Sequence, residues 1–306
     1  MTEGEATVIY STGSWFDILS DDGLRLRGRI RGRLRLRGAR STNPIAVGDR
    51  VRWQTGSDAE CVITDILPRK NYILRRASNL SKESHIIAAN LDAAALVATL
   101  HSPVTSTEFI DRFLVTCEAY NVPPVIVLGK ADLARQTPEA LSEFTDTYRS
   151  AGYRIIVLSA LTGEGVAEFA ETLKGRTTLI AGNSGVGKSS LVKAIDPTSD
   201  IKTGEISRSH HKGMHTTTFA RMYNAAGGRI IDTPGIKGFG LIDICADELA
   251  RYFPDFMRHA PQCGFYNCTH THEPDCAVLR AVNDGEVSVS RYESYLKMLD
   301  EDDKYR

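Results

Sequence analysis

The sequence predicts a multidomain α/β protein. An OB-like β-barrel comes first, a layered domain of alternating strands and helices second, and a helical segment around a cysteine–histidine cluster last. Three observations predict it. The first 75 residues hold short runs rich in β-branched and aromatic residues, separated by Gly, Asp and Asn turns. From about residue 86, apolar runs alternate with stretches of helical period. From about 246 the pattern is helical, and Cys263, Cys268 and Cys276 crowd together within it. The expected units are 1–75, 86–245 and 246–306.

In the first unit, ATVIY, SWFDIL, DRVRW and CVITDIL read as strands. Between them Arg25, Arg27, Arg29, Arg31, Arg33, Arg35 and Arg37 occupy every odd position. An extended chain has period 2, so all seven share one face. Gly28 and Gly32 suggest a bend that divides this run into two strands. About five short strands in this length fit a small barrel. The formal net charge of −1 conceals a contrast. Gly23 to Arg40 holds eight Arg and no acid, so the rest of the chain sums to −9. That concentration points to one local electrostatic contact. Arginines at alternate positions suit the neutralising of nucleic-acid phosphates, against the alternative of a solvated strand face. No aromatic residue interleaves with them, which argues for backbone tracking and against base reading.

In the second unit, LDAAALVATL, VPPVIVLGK, YRIIVLSA, TTLIAGN and GRIIDTPG read as buried parallel strands. Phe109, Ile110, Phe113, Leu114 and Cys117 recur at helical spacing. Thr137, Pro138 and Gly152 mark the N-cap, first turn and end of the next helix. Residues 196–222 show no period and read as a long loop of functional character. ESYLKMLDEDDKYR closes the chain as a charged helix or tail.

Gly182-Asn183-Ser184-Gly185-Val186-Gly187-Lys188-Ser189, followed by Ser190, matches G-x4-G-K-[ST] between a strand and a helix. Its backbone N–H groups are expected to cradle phosphates. Lys188 is expected to reach the β and γ phosphates, and Ser189 to offer its hydroxyl to Mg²⁺. Asp232-Thr-Pro-Gly235 ends a later strand. Asp232 is placed to hold the Mg²⁺ shell and Gly235 N–H to meet the γ phosphate. In the intervening His215-Thr-Thr-Thr218, Thr217 is expected to complete that shell when the γ phosphate is present, so that the loop acts as a switch.

Upstream, Gly129-Lys130-Ala131-Asp132 and Ser159-Ala160 each end a strand. They resemble the [NT]-K-x-D and S-A loops of guanine-nucleotide-binding proteins. That resemblance implies that Asp132 accepts from guanine N1–H and its 2-amino group, that the Lys130 stem packs on the base, and that the Ser159-Ala160 loop donates to O6. In ordinary members both loops follow the phosphate loop; here both precede it. With GNSGVGKSS, GMHTTT, DTPGIKGFG, LSALTGEG and the cysteine cluster, the chain is similar to the circularly permuted GTPases of the RsgA (YjeQ) family over nearly its whole length. The resemblance implies a circularly permuted P-loop GTPase domain between an OB-fold and a zinc-binding helical domain. It implies a GTP-hydrolysing factor that binds the small ribosomal subunit and its rRNA, assists late maturation and is released on ribosome-stimulated hydrolysis. The chain departs from the guanine pattern at Gly129, where Asn or Thr is usual. Ile236 follows DTPG in place of a water-orienting glutamine, which implies slow basal turnover completed by a partner. His215 is the candidate for positioning water.

Three thiolates and one imidazole make a closed tetrahedral Zn²⁺ site. On chemistry alone His259, His270 and His272 all qualify as the fourth ligand; the resemblance favours Cys263, Cys268, His270 and Cys276. No apolar run approaches the ~20 residues of a membrane span. MTEGEATVIY lacks a basic n-region with an apolar core. The expectation is a cytoplasmic monomer with GTP or GDP and Mg²⁺ as ligands and no membrane partner.

Overall fold

The structure is a computed structural model and describes residues 2–30, 45–55, 60–76, 84–197, 220–232, 241–242 and 244–304. Five strands open the chain: β1 (Glu3–Ser11), β2 (Phe16–Ser20), β3 (Arg25–Ile30), β4 (Arg50–Thr55) and β5 (Cys61–Ile66). They pair in the order β1-β2-β3-β5-β4, and β4 returns to β1. Closure removes the open edges of so small a sheet. Only β3 and β5 run parallel. Ala6, Val8, Phe16, Ile18, Val51, Trp53 and Ile63 fill the interior.

β3 carries out the alternation expected of the arginine run. Arg25, Arg27 and Arg29 are exposed, while Leu26, Gly28 and Ile30 face inward. Gly28 does not bend the chain. It sits mid-strand, opposite Cys61, where a Cβ would lie 2.3 Å from the Cys61 sulfur. The glycine serves close strand approach, not a turn. Arg31, Gly32, Arg33, Arg35 and Arg37 lie outside the described residues.

A hairpin of β6 (Tyr72–Arg76) and β7 (Ser84–Ala89) follows. The α/β unit then runs β8 (Ala93–Ala98), α1 (Thr107–Ala119), β9 (Pro124–Leu128), α2 (Ala131–Ala134), α3 (Pro138–Ser150), β10 (Arg154–Val157), α4 (Val166–Leu173), β11 (Thr177–Ala181), α5 (Lys188–Ile195), β12 (Arg221–Ala225) and β13 (Gly228–Asp232). Its strands pair in the order β10-β9-β8-β11-β13-β12, parallel except for β12. Every residue of β8 is buried, as a central strand covered on both faces requires. From β8 the chain winds outward through β9 to β10. From β11 it winds the other way, to β13 and β12. The reversal lies between β8 and β11, and open α/β sheets bind ligands beyond the strand C-termini at such a point. One pair, Tyr10 with Arg221, joins β1 of the barrel to β12.

The helix read from residues 109–117 is α1, and all five of its periodic residues are buried. Pro138 opens α3, and Gly152 lies just past its end at φ +99°. Thr137 precedes α3, but its side chain does not cap it. The hydroxyl meets the Ala134 carbonyl at 3.3 Å and His101 Nε2 at 2.8 Å instead. The loop expected over 196–222 does not reach 222, because β12 begins at Arg221; residues 198–219 lie outside the described residues.

The C-terminal segment holds α6 (Ala246–Leu249), α7 (Pro254–His259), α8 (Ala277–Asn283) and α9 (Val289–Lys304). Phe253, Phe256, Val278, Tyr295 and Met298 form its core, with Val115 of α1. Arg291 of α9, 1% exposed, donates through Nη1 to Asp111 of α1 at 2.6 Å, and through Nε and Nη2 to Asp255 of α7 at 2.6 and 2.7 Å. Burial pushes the Asp111 carboxyl up to about 6, while Arg291 pulls it back toward the charged form. Removing one partner of so buried a group costs about 3–5 kcal/mol. The node therefore fixes the C-terminal helices on α1.

Candidate functional site

The C-terminal ends of β8, β9, β10, β11 and β13 lie along one edge, with register pairs Ala98–Leu128, Leu128–Val157 and Ile180–Asp232. Segments distant in sequence thus converge there. The chain leaves β11 through Gly182 at φ +145°, where a Cβ would lie 2.5 Å from the Val97 carbonyl oxygen. Only glycine lets the loop start this close to β8. Among the described residues, the N–H groups of Asn183 to Gly187 donate no backbone hydrogen bond. Gly187 occupies the N-cap of α5 without a side-chain cap. Ser184 and Gly185 are exposed, and Val186 is buried beneath the loop. The result is a concave run of free donors at a helix N-terminus, suited to an anion.

Lys188, the first residue of α5, is 8% exposed. Its Nζ donates to the carbonyls of Gly182 at 2.6 Å and Asn183 at 2.9 Å. Burial pulls this ammonium below the usual lysine range, and Asp232 opposes the shift by favouring the charge. Ser189 and Ser190 continue the first helical turn, and Asp232 ends β13 beside β11. Thr217, His215 and Gly235 lie outside the described residues.

The upstream loops reach the same edge. Gly129 directly follows β9 and is buried. Its N–H donates to the Ala98 carbonyl at 2.8 Å. Lys130 stands at φ +55° and precedes Ala131 and Asp132 in α2. Its Nζ donates to the Gly185 carbonyl at 2.9 Å and to the Ser102 carbonyl. Ser159 Oγ donates to Asp132 Oδ1 at 2.5 Å, which links the two expected base-reading loops and leaves Ala160 part-buried beside them. So Gly129, Lys130, Asp132, Ser159 and the phosphate loop share one site. Residues 99–105 join it unforeseen. Thr105 N–H donates to the Thr99 carbonyl at 2.8 Å, closing the loop that presents the Ser102 carbonyl to Lys130. HSPVTS carries turn-forming residues, but nothing in it forecasts a lysine partner.

The second cluster is C-terminal. The ligand atoms of Cys263, Cys268, His270 and Cys276 all lie within 4.8 Å of one another. His270 Nδ1 is 3.4 Å from Cys276 Sγ and 3.7 Å from Cys263 Sγ, and the two sulfurs are 4.0 Å apart. Tetrahedral zinc–thiolate geometry demands sulfur separations of about 3.8 Å. The donor set and its spacing are compatible with zinc. His272 is exposed, with Nδ1 against the Thr271 hydroxyl, and His259 lies 3.6 Å from Glu286. Neither belongs to the cluster.

Parallel strands that carry a phosphate loop late in the chain and base-reading loops early are the topology of a permuted nucleotide-binding domain. Residues 66–242 match the family model described as RsgA GTPase, and residues 5–63 match that of the RsgA N-terminal domain. The chain belongs to the RsgA GTPase family. It is a GTPase, circularly permuted. A small ribosomal subunit biogenesis GTPase RsgA from Bacteroides fragilis is 51% identical over 303 residues, covering 98% of each chain. One of the same description from Porphyromonas gingivalis is 50% identical, covering 99% of this chain and 98% of its own. Among solved structures, YjeQ from Thermotoga maritima aligns with a TM-score of 0.78 at 36% identity, over 98% of this chain and 99% of that one. YloQ, described as a circularly permuted GTPase, aligns with a TM-score of 0.73 at 28% identity, over 100% and 96%. No helix among the described residues is long and apolar enough to cross a membrane.

Proposed function

We propose that this RsgA-family GTPase is a switch for assembly of the small ribosomal subunit. GTP orders the loop carrying His215 and Thr217, the ordered form binds the subunit, and subunit-stimulated hydrolysis releases the protein. The observation that carries the nucleotide site is Lys130 Nζ, which ties the base-reading loop to the phosphate loop at Gly185. Its relatives from Bacteroides fragilis and Porphyromonas gingivalis, small ribosomal subunit biogenesis GTPases, support the partner.

In this reading Asp132 selects guanine, Ser159 holds its carboxylate in place, and Ala160 lines the base. Gly182 to Ser190 wrap the phosphates. Lys188 exchanges its carbonyl partners for phosphate oxygens. A magnesium ion held by Ser189 and Asp232, and joined by Thr217, would neutralise charge on the β and γ phosphates. Gly235 N–H meets the γ phosphate, and His215 positions water. Cys263, Cys268, His270 and Cys276 hold one structural zinc ion that staples the small helical core. Arg25 to Arg37 contact rRNA. The units are 1–75, 86–245 and 246–306. The protein acts as a cytoplasmic monomer.

The test is multiple-turnover hydrolysis of GTP and ATP with and without purified small subunits. The expected result is GTP turnover that is slow alone and rises with subunits by on the order of 10³-fold, the lower end of what a completing partner group supplies, with ATP flat. GTP turnover indifferent to subunits overturns the switch.

A further inference from the structure

Position 15 changes what the arginine stripe can do. The turn Thr12–Trp15 closes the β1–β2 hairpin, with Thr12 N–H donating to the Trp15 carbonyl at 2.9 Å and Trp15 N–H to Thr12 Oγ1 at 3.3 Å. One step past the Phe16–Gly28 pair, Trp15 stands across from Arg29 on the outer face of the barrel. The Arg29 guanidinium carbon lies 3.7 Å from the indole centroid, and that of Arg27 lies 4.8 Å away. The indole is part-buried and the arginines are exposed. An indole with two guanidiniums over its ring therefore sits at the surface, held by a closed turn.

We propose that this stack is a platform for an unpaired RNA base. Bases stack on indole rings and on arginine planes alike, so the platform works whichever plane is outermost. Charge decides between this and plain phosphate tracking. Asp17 pairs across from Arg27, and Glu60 lies 3.8 Å from Arg29. These acids offset two of the three arginines of β3, so at this spot stacking supplies what local charge does not, and a duplex offers no free base face. Stacking makes the difference, and it selects single-stranded RNA. The inference rests on reading the arginine stripe as an RNA contact.

The chain has two tryptophans, and Trp53 is 3% exposed inside the barrel. Quenching of the accessible emission thus reports on Trp15. The full-length protein is titrated with end-labelled oligouridylate of about 12 nucleotides, within the span one OB-fold covers, and with a labelled duplex of equal length. Anisotropy reports binding and tryptophan emission reports stacking. The single strand is expected to quench the emission, and Trp15→Leu to weaken single-strand binding about tenfold while duplex binding shifts less than twofold. Oligouridylate that binds without touching the emission, or a Trp15→Leu variant with native single-strand affinity, overturns the platform. The emission measurement needs no variant, so a misfolded Trp15→Leu leaves the test standing. Failure of both RNAs to bind overturns the RNA contact itself.

Discussion

At the scale of single residues, Gly129 is the position where chemistry and fold part. Its backbone is not left-handed. A Cβ there would meet the Val186 carbonyl oxygen and Val97 Cγ1 at 3.5 Å, which is ordinary contact. A Cβ is therefore tolerated, and it faces the Val186 carbonyl of the phosphate loop. Gly129→Asn is expected to fold normally and to tighten GDP by about 1 kcal/mol, or roughly fivefold, through one net hydrogen bond to the loop. Isothermal titration with GDP checks this; weaker binding by the variant would mean that the glycine itself shapes the pocket. Arg291 makes the opposite point. Nothing in RYESYLK distinguishes it from a surface arginine, because its role depends on Asp111 and Asp255, 180 and 36 residues away.

At the scale of elements, what was legible followed from local pattern. LDAAALVATL became β8 because a doubly covered strand needs no polar face. Phe109 to Cys117 became α1 because five apolar residues at helical spacing make one buried stripe. The phosphate loop and the cysteine cluster were legible because their residue types and spacings are set by the ligand and not by the fold. β12 was not: RMYNA is a short strand on the open side of β13, with no clean alternation. The β6–β7 hairpin escaped for a related reason, since Ile73 and Ala88 pack into the α/β core and not against each other alone. The stack on Trp15 escaped because the ring comes from another hairpin turn. For the C-terminal helices, the expected dependence is on metal. Cys268→Ser should lose about one equivalent of zinc by metal analysis and lower the thermal midpoint, as loss of a structural ligand does. Unchanged metal content would remove Cys268 from the site.

At the scale of the whole molecule, cutting a nucleotide-binding sheet at a different loop leaves the site intact, because the site is made at one edge by strand ends and not by chain order. The halves of the site are separated by 50 residues, from Asp132 to Gly182, yet Lys130 reaches Gly185 directly. The same logic places the barrel and the C-terminal helices. The first joins the sheet at β12 and the second at α1, on elements that flank the site.

The central claim is that the upstream half reads the base of a nucleotide whose phosphates the downstream half holds. The direct measurement is the affinity of Asp132→Asn for GDP and for xanthosine diphosphate. Xanthine replaces the 2-amino donor with a carbonyl acceptor, which an amide can match and a carboxylate cannot. The account predicts that the variant loses GDP by on the order of 100-fold, as two charge-assisted hydrogen bonds go, and gains xanthosine diphosphate over the native protein. Unchanged affinity for both nucleotides would contradict it and place the base elsewhere.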